Sequence, residues 1–280
     1  MKNYRNIKRL VKGIPAIDGA GVQLVRLVGH NDSKDFDPFL LFDAFDSTDP
    51  ASYIKGFPWH PHRGMETVTY LIEGEIEHGD SLGNTDVIRA GDCQWMTAGS
   101  GIIHQEMPQP ARRLLGGQLW LNLPAKNKMT RPQYKPIVKN EIPVIEEEHA
   151  TVRILTGTYK EHKGATDGDY VKASYLDITV HPESEWEIDT PPSHTVFVYI
   201  VEGKATFGHD YPRTITAKNV VLFETGEALK LQTTEKPVRF LLMMGKPLRE
   251  PVAWGGPIVM NTREELMHAF QELDENTFIK

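Results

Sequence analysis

The chain has 280 residues, 40% of them apolar and 25% charged, with a formal net charge of −7. That is enough for one large or two medium domains with a real core. The absence of a Lys/Arg block disfavours non-specific binding to nucleic acid or to an anionic membrane surface. The single cysteine, Cys93, excludes an intrachain disulfide and reads as a buried structural thiol. No apolar h-region follows Met1-Lys2-Asn3-Tyr4-Arg5-Asn6, and no run approaches the ~18–20 apolar residues of a membrane span, so the expected location is a reducing cytoplasm.

In chain order, short runs rich in Val, Ile, Thr, Tyr and Phe alternate with scattered Gly and Pro. The first is Gln23–Val28. Next comes His60-Pro61-His62-Arg63-Gly64-Met65-Glu66, where Pro58 and Pro61 point to an edge strand or a barrel mouth. On an extended strand, residues at i and i+2 face the same way, roughly 6–7 Å apart. His60 and His62 therefore share a face. Thr67–Ile72 and Asp86–Ala90 read as further strands.

The segment Gly99-Ser100-Gly101-Ile102-Ile103-His104-Gln105-Glu106 repeats the i, i+2 spacing with His104 and Glu106, and its glycines let the chain turn into a strand. Two such strands side by side would aim three imidazoles and a carboxylate at one point, a donor set for a transition metal with positions left open. Glu66 stands at i+4 from His62, so by spacing it competes with Glu106 as the acidic ligand, or orients an imidazole from behind. Phe57, Trp59, Met65 and Trp95 are candidates to line the site. The remaining histidines (His30, His78, His149, His162, His181, His194, His209 and His268) read as isolated, without a same-face partner at i±2, and as background.

Gly117–Leu123 is a strand with clear period 2, after which the Pro-rich, charged stretch Lys126–Pro143 reads as a semi-extended linker. Strands resume at Val152–Gly157, Tyr175–Val180, Val196–Val201 and Val238–Met244. Thr67-Val68-Thr69-Tyr70-Leu71-Ile72-Glu73-Gly74-Glu75 is echoed at Val196-Phe197-Val198-Tyr199-Ile200-Val201-Glu202-Gly203-Lys204, an offset that suggests a duplicated domain. The division expected is residues 1–130, a linker at 131–150, and residues 151–280. Near the end, Thr262 and Glu265 form a capping box, and Leu266, Met267, Phe270 and Leu273 an apolar stripe, so Asn261–Leu273 reads as a helix packed on a sheet. Neither a Gly-rich phosphate loop nor a nucleophile elbow nor a Cys-x-x-Cys pair occurs.

The strings His60-Pro61-His62-Arg63-Gly64-Met65-Glu66-Thr67-Val68 and Gly91-Asp92-Cys93-Gln94-Trp95-Met96-Thr97-Ala98-Gly99-Ser100-Gly101-Ile102-Ile103-His104-Gln105-Glu106-Met107-Pro108 resemble the pirin family of cupins. The likeness extends to Gln118–Pro124 and to Pro257–Thr262, and so covers nearly the whole chain. It implies an all-β bicupin: two double-stranded β-helix (jelly-roll) barrels, the first holding metal and the second degenerate, with the C-terminal helix packing back on the first. It implies His60, His62, His104 and Glu106 as ligands of Fe(2+), with Mn, Ni, Cu, Zn and Co as alternatives, and leaves Glu66 as a supporting group. Positions matching His60 and His62 in the second half are Asp189 and Pro191, so the second barrel is expected to be metal-free. The resemblance also implies quercetin 2,3-dioxygenase-type cleavage of a flavonol by O2; Glu106, placed at the metal, is then the candidate general base for the flavonol proton. Pirins are described too as protein-binding regulators, so the alternative is a non-enzymatic iron redox sensor with a protein partner. A sugar or keto-acid isomerase on the same barrel would work without O2.

Overall fold

A computed structural model describes residues 2–280. The protein is built from antiparallel strands, as expected. In the first half of the chain these are β1 (Ile7–Lys12), β2 (Ile14–Asp18), β3 (Val22–Val28), β4 (Phe39–Ser47), β5 (Phe57–His62), β6 (Met65–Glu73), β7 (Glu75–Asp80), β8 (Thr85–Arg89), β9 (Cys93–Thr97), β10 (Ile102–Pro108), β11 (Leu114–Asn122) and β12 (Gln133–Ile137). No helix among the described residues is long and apolar enough to cross a membrane.

Two compact units interleave along the chain. One comprises Ile14–Ser33, Phe39–Lys139 and Leu248–Lys280; the other comprises the chain up to Gly13, Lys34–Pro38 and Asn140–Pro247. The division expected at 130 and 150 follows chain order, whereas the units exchange their ends. β1 pairs with Asn219–Phe223 in the second unit, and the C-terminal helix belongs with the first. Within the stretch read as a linker, β12 is the edge strand of a sheet, paired with β9. Tyr134 explains this: it is a half-buried anchor whose ring packs inside the unit.

The first unit has a seven-stranded sheet, β12-β9-β6-β11-β4-β3-β2, and a four-stranded sheet, β5-β10-β7-β8. Inward positions along β6 run Met65, Thr67, Thr69, Leu71, which is apolar, polar, polar, apolar. Met65 joins Leu40, Met96, Ala98, Ile102 and Val259 in one apolar cluster. Leu71 joins Val22, Leu24, Phe45, Ile76, Ile88 and Leu114 in another. The barrel interior therefore holds a polar band between two apolar layers.

In the second unit the corresponding inward positions, Val196, Val198 and Ile200, sit in an unbroken apolar core with Ile178, Phe207, Leu229 and Phe240. The internal repeat is realised in space: β6 and Thr195–Glu202 each lie third from the edge of a seven-stranded sheet. Asp189 is exposed and bonded to Lys2, and the Pro191 carbonyl accepts from Arg5.

The last helix, Arg263–Asp274, starts with the expected box: Thr262 Oγ1 accepts from Glu265 N at 3.2 Å, and Glu265 Oε2 accepts from Thr262 N at 3.0 Å. Its buried face is Leu266, Ala269, Phe270 and Leu273 against Ile258, Met260 and Phe278. Met267, expected in that stripe, is 58% exposed, because one position past Leu266 turns about 100° around the helix.

Candidate metal centre

β5 is the edge strand of the four-stranded sheet and tolerates Pro58 and Pro61 there. It pairs antiparallel with β10, placing His104 opposite His60 and Ile102 opposite His62. Alternation sends His60 and His62 to the inner side of β5, and His104 and Glu106 to the inner side of β10. The chain leaves β5 through Gly64 at φ +74°, where an added Cβ would lie 1.9 Å from the Val259 carbonyl oxygen, so only glycine fits.

The three imidazoles meet. Ring centroids are 4.3 Å apart for His60 and His104, 4.9 Å for His60 and His62, and 5.0 Å for His62 and His104. One ring nitrogen from each lies within 4.8 Å of the others, a group that could hold a metal ion. His60 Nδ1 donates to the Pro58 carbonyl at 2.8 Å, and His62 Nδ1 to the Pro257 carbonyl at 3.1 Å. A carbonyl only accepts, so these bonds fix the Nδ1–H tautomer and leave the Nε2 lone pair for a cation. His104 is fully buried, and neither of its ring nitrogens has a hydrogen-bond partner. Leaving such a group unsatisfied costs about 1–3 kcal/mol, which coordination to an ion offsets.

Burial, reinforced by the neighbouring His60, pushes His62 down to about 3. Burial also pushes His104 well below the usual imidazole range, helped by His62, His60 and His78. Both are neutral at ordinary pH, the form that binds metal. The residues present thus fit a transition metal by number, tautomer and charge.

Glu106 is buried beside them but is not one of the three whose donor atoms converge. Its Oε1 accepts from Thr69 Oγ1 at 2.9 Å and, through a short contact, from Gln94 Nε2; its Oε2 faces Gln118 Nε2 at 3.5 Å. Thr69 pairs with Gln94 on one side and Gln118 on the other, so a single row across β9, β6 and β11 cradles the carboxylate. Glu66 lies elsewhere. It pairs with Thr97 and Leu121, accepts from Thr97 Oγ1 at 2.7 Å, and stands on the opposite face of β6 from Thr67 and Thr69. The i+4 parity from His62 does not carry across Gly64, because β5 and β6 are separate strands in different sheets.

Of the candidate wall residues, Trp59 is 55% exposed on the outer side of β5, and Trp95 lies on the opposite face of β9 from Gln94. Met65 packs in the apolar layer near Ile102, and the Phe57 ring is 6.5 Å from His60. The aromatic neighbour that sequence reasoning missed is Trp120, edge-on to His62 at 5.0 Å. His78 was missed as well. Its ring is 5.5 Å from His104, it stacks on Tyr134 at 4.3 Å, and its Nε2 donates to Asp80 Oδ2 at 3.1 Å. The available signal was His78-Gly79-Asp80, two polar side chains on the inner parity of β7. Cys93 is buried, and burial raises its thiol far above the ordinary value, so it is chemically quiet.

Two family profiles match the chain: Pirin over residues 21–121, and the Pirin C-terminal cupin domain over residues 175–279. A pirin-like protein of Caulobacter vibrioides is 40% identical, with 98% of this chain and 99% of that protein aligned. Human pirin is 38% identical over 90% of this chain and 86% of its own. A crystal structure of a quercetin 2,3-dioxygenase from Acinetobacter baumannii superposes with a TM-score of 0.90 at 31% identity, covering 98% of both chains, so the fold is that bicupin. Both halves match, all three clustered imidazoles fall inside the first matched segment, and the chain belongs to the pirin family.

Proposed function

We propose that the protein is a metal-dependent dioxygenase that opens the central ring of a flavonol with O2, with His60, His62, His104 and Glu106 holding the metal. The observation that carries this is the convergence of three imidazoles, two with their Nδ1–H fixed by a carbonyl and one with both nitrogens orphaned, next to a carboxylate held by three donors. The solved relative named for quercetin 2,3-dioxygenase supports the substrate class. Fe(2+) is the expected ion; three imidazoles and a carboxylate also suit Mn, Co, Ni, Cu and Zn. A bound ferrous ion supplies Lewis acidity toward a coordinated hydroxyl and one-electron chemistry toward O2.

The protein's own part is positional and acid–base. Glu106 takes the proton from the flavonol 3-hydroxyl oxygen, and the flavonolate becomes electron-rich enough to react with O2, with release of carbon monoxide. Thr69, Gln94 and Gln118 keep the Glu106 carboxylate fixed while it receives the proton. Met65, Ile102 and Trp120 keep water from the reacting ring. The buried thiol of Cys93 suits a reducing cytoplasm.

The test is oxygen uptake and carbon monoxide release on quercetin by protein loaded with Fe(2+). His60→Ala and His104→Ala should lose bound metal and oxygen uptake together. A metal-free variant that still turns over contradicts the proposal. Wild-type protein that holds iron yet consumes no O2 with any flavonol also contradicts it, in favour of an iron-dependent switch that binds a protein partner.

A further inference from the structure

Arg63 follows the ligand His62 directly and is 1% exposed, the deepest arginine of its unit. Its guanidinium reaches three separate segments. Nε donates to the Ser100 carbonyl at 2.7 Å, in the turn that leads into β10 and His104. Nη1 pairs with Glu272 of the last helix, and Nη2 donates to the Phe278 carbonyl at 2.8 Å. The Phe278 ring lies 4.0 Å from the guanidinium carbon, a cation–π contact. A planar fork with five donors can hold three acceptors in fixed relation, which lysine cannot do.

Other contacts bind the same C-terminal segment to the same two turns. Pro257 accepts from His62 Nδ1, and Val259 N donates to the Arg63 carbonyl at 3.0 Å. At Gly101, just before β10, an added Cβ would sit 2.9 Å from the Phe278 carbonyl oxygen. The chain end is seated against both ligand-bearing strands, while Glu272 is held on its other side by Lys280.

We propose that Arg63, Glu272 and Phe278 are positioning residues. The docked C-terminal tail sets the separation of the His60/His62 strand from the His104 strand, and so sets metal affinity. This rests on the metal reading of the three imidazoles. Groups that orient ligands from behind typically change metal affinity about 10- to 100-fold when removed.

The experiment titrates Co2+ into metal-free wild type, Arg63→Lys, Phe278→Ala and the isosteric Glu272→Gln, each first shown folded by near-UV circular dichroism. It reads both Kd and the visible d–d spectrum. Ile200→Val, in the core of the other unit, serves as a control for general destabilisation. The expected result is a Kd raised about 10-fold or more for Phe278→Ala and Arg63→Lys, a smaller rise for Glu272→Gln, and altered d–d bands. Ile200→Val should lower Tm yet keep the wild-type Kd and spectrum. Folded tail variants with wild-type Kd and spectrum overturn the role of the tail alone. Wild type that binds no Co2+ overturns the metal reading, and this inference with it.

Discussion

In the proposed reaction Glu106 must meet two demands at once: its carboxylate must be held in place inside the barrel and remain able to receive a proton. The donors of Thr69, Gln94 and Gln118 meet the first, and its place two residues beyond His104 on the inner face of β10 meets the second. Glu106→Gln keeps the shape and removes the basicity. It should retain some of the metal while turnover falls about 100-fold or more, read by anaerobic metal analysis beside an oxygen electrode. Unchanged turnover contradicts the role of base. The histidine trio was legible in the sequence because a strand imposes period 2 on His60 and His62, and likewise on His104 and Glu106 in the strand that pairs with theirs. The choice between Glu66 and Glu106 was not, because parity is reset at Gly64 and spacing does not reveal the reset. His78 escaped notice because its partners are a carboxylate on its own strand and a tyrosine from a distant one.

The strands and the last helix followed from local pattern, since apolar spacing and caps act over a few residues. The helix tests this directly. Thr262→Ala removes an acceptor for Glu265 N and should cost about 1 kcal/mol of stability in urea unfolding. A loss below about 0.3 kcal/mol would mean that packing of Ala269 and Phe270 alone fixes the helix start. Met267 marks the limit of local reading: a stripe drawn at i, i+1, i+4, i+7 is wider than the face that is buried, and only packing shows which flank is covered. β12 shows the same limit for strands. The prolines and charges of the stretch around it read as a linker, but pairing with β9 was decided by the anchor Tyr134.

At the scale of the molecule, the exchange of chain ends was invisible in the sequence, because the partner of β1 lies some two hundred residues away and no periodicity encodes a pairing of that range. Burial of the site also has a global consequence. The folded-state value of about 3 for His62 lies below the unfolded ~6.5, so the unfolded chain takes up protons first as pH falls. Metal-free protein therefore loses stability between pH 6.5 and 3, with His62 contributing about 2 kcal/mol at pH 5. In His62→Asn the loss between pH 7 and pH 5 should shrink by about that amount; an unchanged loss contradicts it. The same neutrality means that His62 and His104 have no proton to give up when metal enters. Calorimetry in buffers of different ionisation enthalpy should find release of about one proton or fewer per ion, and two or more contradicts the neutrality of His62 and His104.

The most direct measurement is anomalous X-ray scattering at the metal absorption edge from crystals loaded with Fe(2+) or Co(2+). The account predicts one peak per chain, about 2.1 Å from Nε2 of His60, Nε2 of His62 and a ring nitrogen of His104, with a Glu106 carboxylate oxygen in the same shell. No peak among the three imidazoles, or a peak ligated elsewhere in the chain, would contradict it.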